Sequence, residues 1–318
     1  MESSIDDMNK RCPNCGSELS TDQSSKEILI EPHKLVILFG AGASKGSQSN
    51  NPPPLGGELL KELLRQDPKV WGLIPEKLLS SLCLDFETGM SEIGDSHGEL
   101  LPKLLRSMAR YFYQFTPSDD SLYLKLATHI KSSGKSIGLA TLNYDRLLDL
   151  SLAKTNIDID ICYPHGSCNL FCDGASTEND DASFSGVGVS TNGHIYSIDD
   201  DKVFLQKIKS DSFPPVMSYF EYEKRATSGV DFIEEQKTKW GWLCSNAEKI
   251  LVIGIKQRDH DGHIWKPLEN TQAKIMFCGG PESCEGYQIW MDKHGRSDEV
   301  LRGYFAEEFK NLCSFLDI

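Results

Sequence analysis

The segment Gly40-Ala41-Gly42-Ala43-Ser44 has the residue types and spacing of a turn that can cradle a phosphate. Gly40 and Gly42 lack a Cβ, so the backbone can turn tightly and come close to a ligand. A helix that starts after such a turn directs free N–H groups toward an anion. The full Gly-x-Gly-x-x-Gly pattern is not met, because Lys45 stands where the third glycine belongs. The segment predicts a dinucleotide site, with a plain glycine-rich turn as the alternative.

Three polar side chains further along the chain can do chemistry beside such a turn. Asn143 and Asp145 follow an apolar run that ends at Thr141, and His165 follows the next apolar run. Polar residues at the carboxyl end of a buried parallel strand lie where α/β folds bind ligands. The second of these runs would deliver His165 to the same edge of the sheet, so His165 is a candidate site residue. The alternatives are a satisfied strand-end asparagine, an aspartate that caps a helix and a surface histidine.

Five apolar segments are expected to position these residues. The run from Leu35 to Phe39 leads straight into glycine, which is typical of a strand buried on both faces. The other predicted strands are 135–142, 157–163, 249–255 and 273–278, and residues 298–316 are predicted to form a closing helix. We expect an α/β fold in which a Rossmann-like parallel sheet is flanked by helices. Its carboxyl edge would gather the glycine turn, the polar side chains and the segments at Gly254 and Cys278-Gly279.

Composition divides the chain into an extension and one large domain. Residues 1–30 are polar, whereas residues 31–318 carry the predicted strands and helices. Leucines at helical spacing between about 58 and 130 predict a helical insertion after the first strand. The region of about 167–215 begins with a stretch rich in Gly, Ser, Asn and Asp, which predicts a small loop-rich module. The proline-rich segment 51–57 is expected to be a loop over the mouth of the glycine turn.

The extension contains Cys12-Pro13-Asn14-Cys15-Gly16, the knuckle of a zinc ribbon, in which a tight turn aims two thiolates at one metal. Tetrahedral zinc needs two more ligands, and no second Cys-x-x-Cys stands in the chain. The candidate sources are Cys168 with Cys172, Cys278 with Cys284, or a partner subunit. The loop-rich module is therefore a candidate zinc-binding module, and a metal-free tail is the alternative.

Composition and charge limit the classes of function. The 318 residues are 39% hydrophobic and 25% charged, which is ordinary for a globular protein with a core. The net charge of −14 argues against direct binding of nucleic acid through a dominant basic surface. No stretch approaches the roughly 20 apolar residues that a membrane span needs, and residues 1–26 lack the apolar region of a secretory signal. We therefore expect a cytoplasmic protein that does not bind membranes.

Four motifs, in order, resemble those of the sirtuin family. They are Gly40-Ala41-Gly42-Ala43-Ser44, Thr141-Leu142-Asn143-Tyr144-Asp145, His165-Gly166-Ser167 and Gly254-Ile255-Lys256. The resemblance spans about residues 33 to 285. Each motif is modest alone, but four in the right order make a chance match improbable.

The resemblance implies a domain that binds NAD+ as a substrate. Ala41, Gly42 and Ser44 would hold the pyrophosphate and the nearby ribose, and Asp145 would hold the nicotinamide carboxamide. Asn143 would orient a water molecule or the ribose at the reacting carbon. His165 would act as general base on a ribose hydroxyl or on the water. The implied nucleotide-binding set is Gly40, Ala41, Gly42, Ala43, Ser44, Thr141, Asn143, Asp145, Gly254, Cys278 and Gly279, with the last three on the adenosine side.

Departures from the protein-deacylating sirtuins narrow the expected activity. The proline-rich loop 51–57 replaces their Pro-Asp-Phe-Arg loop, the stretch 58–130 is unlike theirs, and only Cys168 and Cys172 follow the His-Gly motif. These features look more like the sirtuin-like NAD hydrolases of bacterial anti-phage systems. The resemblance therefore implies an NAD+ glycohydrolase that releases nicotinamide and ADP-ribose and depletes NAD in an infected cell. The alternatives are an NAD-dependent protein deacylase and a non-catalytic module that senses NAD or ADP-ribose.

An effector of this kind must stay silent until triggered, so we expect a homo-oligomer, a complex with a sensor protein, or both.

A last polar cluster consists of Asp259, His260, Asp261 and His263. We interpret it as a solvated loop that touches the ribose of the adenosine, and not as a metal site.

Overall fold

The computed structural model describes residues 33–173, 182–185, 188–210, 213–218 and 226–318, with side chains omitted at 182–185, 188–190 and 210. All of them belong to one compact unit, Pro32–Ile318. The predicted extension 1–30, with its knuckle at Cys12 and Cys15, lies outside the described residues.

The described elements alternate in the manner of an α/β protein, with one run of consecutive helices and one run of short strands. In chain order they are β1 (Leu35–Phe39), α1 (Ala41–Gly46), α2 (Gly56–Gln66), α3 (Pro68–Trp71), α4 (Glu76–Leu84), α5 (Phe86–Ser96), a 3-10 turn (Gly98–Leu100), α6 (Leu101–Tyr113), α7 (Leu122–Ser133), β2 (Ile137–Thr141), α8 (Leu147–Thr155), β3 (Leu170–Cys172), β4 (Ala182–Ser185), β5 (Gly188–Thr191), β6 (Ile195–Ser197), α9 (Asp201–Ser210), α10 (Val230–Asn246), β7 (Lys249–Ile253), α11 (Gly262–Asn270), β8 (Lys274–Gly279), α12 (Pro281–Lys293), β9 (Glu299–Arg302) and α13 (Phe305–Leu316).

Five strands form one parallel sheet in the order β2-β1-β7-β8-β9. A parallel bridge between Ala140 and Cys162 adds a single residue of pairing outside β2. Counting that bridge as a strand, the order along the sheet is 3-2-1-4-5-6, the order of Rossmann folds. The predicted fold class, a Rossmann-like parallel sheet flanked by helices, is confirmed.

The central strand β1 shows why the sequence forms this sheet. Leu35, Ile37 and Phe39 pack into one apolar cluster, whereas Val36 and Leu38 pack into a second cluster. Since both faces are covered, a strand in this position is apolar at every residue rather than at alternate residues. The continuous apolar runs at β7 and β8 have the same cause.

The predicted strand 157–163 is wrong except at Cys162. The Cys162 N–H donates to the Leu139 carbonyl at 2.8 Å, and the Thr141 N–H donates to the Cys162 carbonyl at 2.9 Å. Before this point Ile157 and Ile159 are half-buried against the first cluster, and Asp158 and Asp160 are exposed. The alternation of apolar and acidic residues shows that one side of this segment packs against the protein. Such packing does not require hydrogen bonding to a neighbouring strand.

The fifth strand of the sheet is β9, where the sequence predicts helix from 298 onward. Leu301 on β9 and Phe305 at the start of α13 both pack against the first apolar cluster. Their spacing of four residues fits one face of a helix, although the chain turns between them. The boundary between strand and helix is therefore hidden in the apolar pattern.

Helices α2 to α7 lie in the chain between β1 and β2, where the helical insertion is predicted. The inner face of α6 is apolar and buried, at Leu101, Leu104, Leu105 and Met108. At its end, Tyr113 stacks on Phe204 of α9 with 3.6 Å between the ring centroids. None of the helices in the described part of the chain is long and apolar enough to cross a membrane.

The region predicted as loop-rich contains two small antiparallel pairs, β3 with β6 and β4 with β5, followed by α9. It is thus more regular than its composition suggests. The segment 213–218 lies beside it, and Gly166 forms an antiparallel bridge with Met217. The segment after Tyr163 is thus paired with segment 213–218 on one side, and the bridge between Cys162 and Ala140 ties its start to β2.

Candidate functional site

A cavity of about 650 Å³ opens at the carboxyl ends of β1, β2, β7 and β8. This is the place where the strand order of a doubly wound sheet reverses and where such folds bind ligands. The residues of the predicted site that line it are Gly40, Ala41, Gly42, Ser44, Asn143, Asp145, His165, Gly254, Cys278 and Gly279. Ala43 and Thr141 do not line it and are buried behind its wall.

Two glycines make the floor of the cavity by direct contact between backbones. The Gly40 N–H donates to the Ile253 carbonyl at 2.9 Å, and the Gly42 N–H donates to the Gly254 carbonyl at 2.8 Å. A Cβ on Gly42 would lie 2.9 Å from the Gly254 Cα. Gly254 itself has φ +68°, and a Cβ there would lie 2.1 Å from the Ala43 nitrogen. The Gly-x-Gly spacing is therefore required by the contact with β7.

The glycine turn offers fewer free backbone N–H groups than the sequence predicts. The helix after the turn, α1, has only six residues. The N–H groups of Gly40, Gly42 and Ala43 already donate to backbone carbonyls. Within the turn, the exposed Ala41 is left as the residue whose N–H has no such backbone partner among the described residues. Any anion bound here is met by few backbone donors and by the neighbouring side chains.

The Asn143 side chain is fixed against the turn. Its amide nitrogen donates to the Gly40 carbonyl at 3.0 Å and to the Ser44 hydroxyl at 2.9 Å. A carbonyl can only accept, so the nitrogen must face Gly40 and the amide oxygen must face the other way. Asn143 is nearly buried and lines the cavity. Its orientation leaves the amide oxygen as the atom that can accept a hydrogen bond from a ligand or a water molecule.

Asp145 lies beside Asn143 and contacts both the start of α8 and the cavity. Its carboxylate accepts a hydrogen bond of 3.0 Å from the Leu147 N–H at the start of α8. The N-cap residue of α8 is Arg146, so Asp145 precedes the cap position that the alternative assigned to it. The same side chain lines the cavity. Burial raises the pKa of the Asp145 carboxyl to about 6, against the hydrogen bonds from Leu147 and Ser44, which lower it. Ionisation of the Asp145 carboxyl therefore has a free-energy cost in the folded protein.

His165 is held by a turn that requires glycine at the next position. Gly166 has φ +76°, and a Cβ there would lie 2.0 Å from the Val216 carbonyl oxygen. The His165 carbonyl accepts from the Ser218 N–H at 2.9 Å. The His-Gly pair of the motif thus has a physical reason, since this backbone lies in the left-handed region and against segment 213–218.

The Nε2 atom of His165 lies 2.8 Å from the Nε2 atom of His263. Asp261 is buried beside them, and one ligand atom from each of the three lies within 4.8 Å of the others. The interpretation of residues 259–263 as a solvated loop is therefore wrong for Asp261 and His263. It holds for Asp259, which is exposed.

The opposite wall of the cavity comes from the helical insertion, at Leu82 to Glu87. It meets the segment after β7 through charged side chains. Arg258 Nη1 lies 3.2 Å from Glu87 Oε2 and 3.6 Å from Asp85 Oδ2. His260 Nε2 lies 2.8 Å from the same Glu87 oxygen. Pro53, Pro54 and the start of α2 complete the rim, in line with the predicted position of segment 51–57.

Sequence reasoning missed Tyr123. Its hydroxyl lies 3.1 Å from the Ser44 hydroxyl and 3.5 Å from the Asn143 amide nitrogen. Burial raises its pKa well above the ordinary value, so the phenol stays protonated. Tyr123 stands 79 residues from Ser44 in the chain, within a leucine-rich helix, and no local pattern marks it. His263 and Asp261 were noticed, but their proximity to His165 was not.

The cysteines proposed as zinc ligands do not form a metal site by themselves. Cys168 packs in one apolar cluster and Cys172 in another. Burial raises the pKa of the Cys168 thiol and of the Cys278 thiol, which disfavours the thiolate that zinc needs. Within the described residues, neither pair belongs to a group of three metal-ligating side chains. The zinc knuckle at Cys12 and Cys15 stays a prediction.

Comparisons with known proteins give structural matches only. No protein-family model matches the sequence, and no curated protein matches it. One similar solved structure is a Sir2 homologue with a histidine-to-asparagine substitution in complex with ADP-ribose; it is 14% identical over 90% of this chain and 93% of that one, with a TM-score of 0.46. A Sir2 homologue in complex with NAD is 15% identical over 90% of both chains, with a TM-score of 0.42.

Proposed function

We propose that this protein is an NAD+ glycohydrolase that cleaves the bond between nicotinamide and ribose. One observation carries the proposal. The four segments whose order resembles the sirtuin motifs, separated by up to about 200 residues of sequence, line a single cavity at the switch point of the sheet. The cavity unites a glycine turn with an amide, a carboxyl and an imidazole, which is a set suited to a charged dinucleotide.

The turn and its neighbours place the dinucleotide. The pyrophosphate lies at Ala41, Gly42 and Ser44, which line the cavity. The adenosine lies toward Gly254 and Gly279, and the nicotinamide lies toward Asp145, whose carboxyl accepts from the carboxamide.

Cleavage depends on positioning more than on a strong acid. Loss of nicotinamide creates an oxocarbenium-like centre at the ribose, so the protein must stabilise positive charge and deliver water to one face. The Asn143 oxygen orients that water or the ribose hydroxyl. When water attacks the ribose carbon and forms ADP-ribose, the proton that the water loses passes to His165, directly or through a ribose hydroxyl. Both side chains are nearly buried, which keeps bulk water from competing.

The proposed biological role rests on the resemblance to the sirtuin-like NAD hydrolases of anti-phage systems. We propose that the protein is a cytoplasmic effector of bacterial anti-phage defence that depletes NAD+ after a trigger. Such an enzyme needs a silent state, so the proposal includes a homo-oligomer or a complex with a sensor protein. The alternatives in which the protein deacylates lysine or only senses the nucleotide are outcomes of the test below.

The test is chromatography of NAD+ incubated with the purified full chain, with and without the products of neighbouring genes. Nicotinamide and ADP-ribose should form with the natural protein and not with Asn143→Ala or His165→Ala. His129→Ala is the matched control, since His129 lies on the outer helix α7 and packs on Phe309. Deacylation of an acyl-lysine peptide, or tight nucleotide binding without turnover in every condition, would contradict the proposal.

A further inference from the structure

The three side chains His165, Asp261 and His263 form a cluster with the composition of a metal site. The two imidazole Nε2 atoms are 2.8 Å apart, and the Asp261 carboxylate completes a set within 4.8 Å. It is the one group of three or more metal-ligating side chains at such distances within the described ranges. Two imidazoles and one carboxylate are a frequent zinc donor set, with one position left for water.

The distances are close to those of a bound ion. With Zn–N bonds of about 2.0–2.1 Å, two nitrogens on a tetrahedral ion lie about 3.3 Å apart. The histidine nitrogens would therefore have to separate by about half an ångström. The rings are tilted by 47° with centroids 5.1 Å apart, so a small rotation of either ring achieves this.

Rigid backbone holds the ligands on both sides. His165 is fixed by the glycine turn and by the hydrogen bond to Ser218. The Asp261 carbonyl accepts from the Ile264 and Trp265 N–H groups at 2.8 and 3.0 Å, which anchors the start of α11. A site whose ligands come from two fixed elements loses little conformational freedom when an ion binds.

The cluster also has access from outside the cavity. His263 lines a shallow hollow on the surface, together with residues of α10 and α11. His165 and Asp261 line the large cavity. The cluster therefore separates the two spaces, and an ion can reach it while the cavity holds a nucleotide.

We propose that His165, Asp261 and His263 bind one divalent transition-metal ion, Zn²⁺ by their donor set. The ion replaces the proton that lies between the two Nε2 atoms in their hydrogen bond, which is released to solvent, and takes one Nε2 lone pair from each ring. Because the His165 imidazole is the proposed general base, the bound ion blocks cleavage. The binding claim stands on the geometry alone, whereas the inhibition rests on the proposed function.

The binding test uses Co²⁺ as a spectroscopic probe for Zn²⁺. The full chain carries Cys12→Ser and Cys15→Ser, which silences the predicted knuckle. We expect one equivalent of Co²⁺, with visible bands of nitrogen and oxygen ligands, displaced by Zn²⁺. His263→Ala and Asp261→Asn should each weaken binding at least tenfold. His260→Ala, one residue before Asp261, should retain the full equivalent. Undiminished binding in His263→Ala, or none in the parent, would overturn the proposal.

A variant that gains a spectroscopic signal distinguishes the replacement of a metal ligand from misfolding. His263→Cys replaces one ligand with a thiolate, and a thiolate on Co²⁺ adds an intense near-ultraviolet charge-transfer band. We expect that band in His263→Cys and not in the parent chain. Its absence, with folding confirmed by circular dichroism, would count against His263 as a ligand and would refute the site.

Activity provides a separate arm. If the parent cleaves NAD+, Zn²⁺ should abolish cleavage and a chelator should restore it. Cleavage that persists with the site saturated would refute the blocking role. If no condition gives cleavage, the proposed function fails, while the metal site is still decided by the cobalt titration.

Discussion

The cavity has two walls that are built in different ways. The sheet wall is made of backbone, with Gly40 and Gly42 hydrogen-bonded to the end of β7. The insertion wall meets the same segment through side chains, at Arg258, His260 and Glu87. The first contact allows almost no change in position, because the chains touch without an intervening side chain. The second depends on partly exposed polar contacts between side chains, and exposed ion pairs contribute little to stability.

This difference separates two tasks. A catalytic arrangement must be held to fractions of an ångström, and the backbone contact does so. A substrate must also enter and leave, and the polar contacts between the insertion and the segment after β7 can open without unfolding the sheet. At the rim of the insertion wall, Leu84 is 89% exposed and Cys83 is also exposed. The following experiments first change residues of the sheet wall and then a residue that contacts the insertion wall.

The largest effect is expected from Gly254→Ala. The new Cβ would lie 2.1 Å from the Ala43 nitrogen at φ +68°, so the variant should lose about 3 kcal/mol or more of stability. Denaturant unfolding measures the loss, and nucleotide binding should disappear with it. Gly134→Ala is the matched control, because Gly134 has φ +62° with nothing within 4 Å. It should cost only about 1 kcal/mol, and equal losses would contradict the importance of the contact.

Asp145→Asn, a change in the sheet wall, should make the protein more stable and less active. The amide oxygen can still accept from the Leu147 N–H, whereas the buried charge is removed. Folding raises the pKa of Asp145 from 3.8 to about 6, so the folded state holds a proton that the unfolded state has lost. Ionised Asp145 thus costs the natural protein of order 1–3 kcal/mol at neutral pH. NAD+ cleavage should fall at least a hundredfold, because the carboxylate is the proposed partner of nicotinamide.

The pH dependence of this effect has a definite sign. The stability that a proton on Asp145 provides is full below about pH 4 and is lost as the pH rises through about 6. The gain from Asp145→Asn should be present at pH 7.5 and should shrink toward pH 4.5, measured as the difference in denaturant midpoint. A gain that does not change with pH would refute the raised pKa.

Tyr123→Phe should have a moderate effect on the same wall. It removes the hydroxyl beside Ser44 and Asn143 but keeps the ring that packs on Phe39 and Phe305. Loss of one buried hydrogen-bonding group costs about 1 kcal/mol. The turnover number should fall because Asn143 is held less firmly, while the Michaelis constant changes little. Tyr287→Phe serves as the control, because it removes a hydroxyl that donates to Asp298 outside the cavity lining, and an equal loss of turnover there would contradict the role of Tyr123.

Arg258→Ala should have the smallest effect on stability, below about 1 kcal/mol, since its partners are partly exposed. Its signature should instead be local. The amides of α5 should exchange with deuterated solvent faster, while those of β1 and β7 are unchanged. Arg110→Ala removes an ion pair with Asp67 within the insertion and is the control. Unchanged exchange in α5 would show that the ion pairs do not hold this wall.

Much of the fold could be predicted from the sequence because burial leaves a strong pattern. The strands β1, β2, β7 and β8 are continuous apolar runs, and such runs occur where both faces of a sheet are covered. The errors at 157–163 and at β9 have one cause. An apolar pattern reports which side chains are buried, but not whether the backbone pairs with a strand or turns into a helix.

The candidate site could be predicted only as far as local motifs reach. The glycine turn, Asn143, Asp145 and His165 each follow a recognisable strand, and they line the cavity as expected. Tyr123 has no local signal, and the polar cluster that contains His263 does not reveal its contact with His165, because the partners are 79 and 98 residues away in the chain. Contacts of that kind are set by how helices pack on the sheet.

The contact between Gly42 and Gly254 has a consequence for how this protein can vary. A side chain at either position would strike the backbone of the other, so no compensating change of side chain elsewhere can make room. In a set of homologous sequences the two positions should stay glycine together and show no covariation with the residues around them. Laboratory evolution toward a new nucleotide should likewise accept changes at Lys256, Glu282 and the insertion, and reject them at this pair.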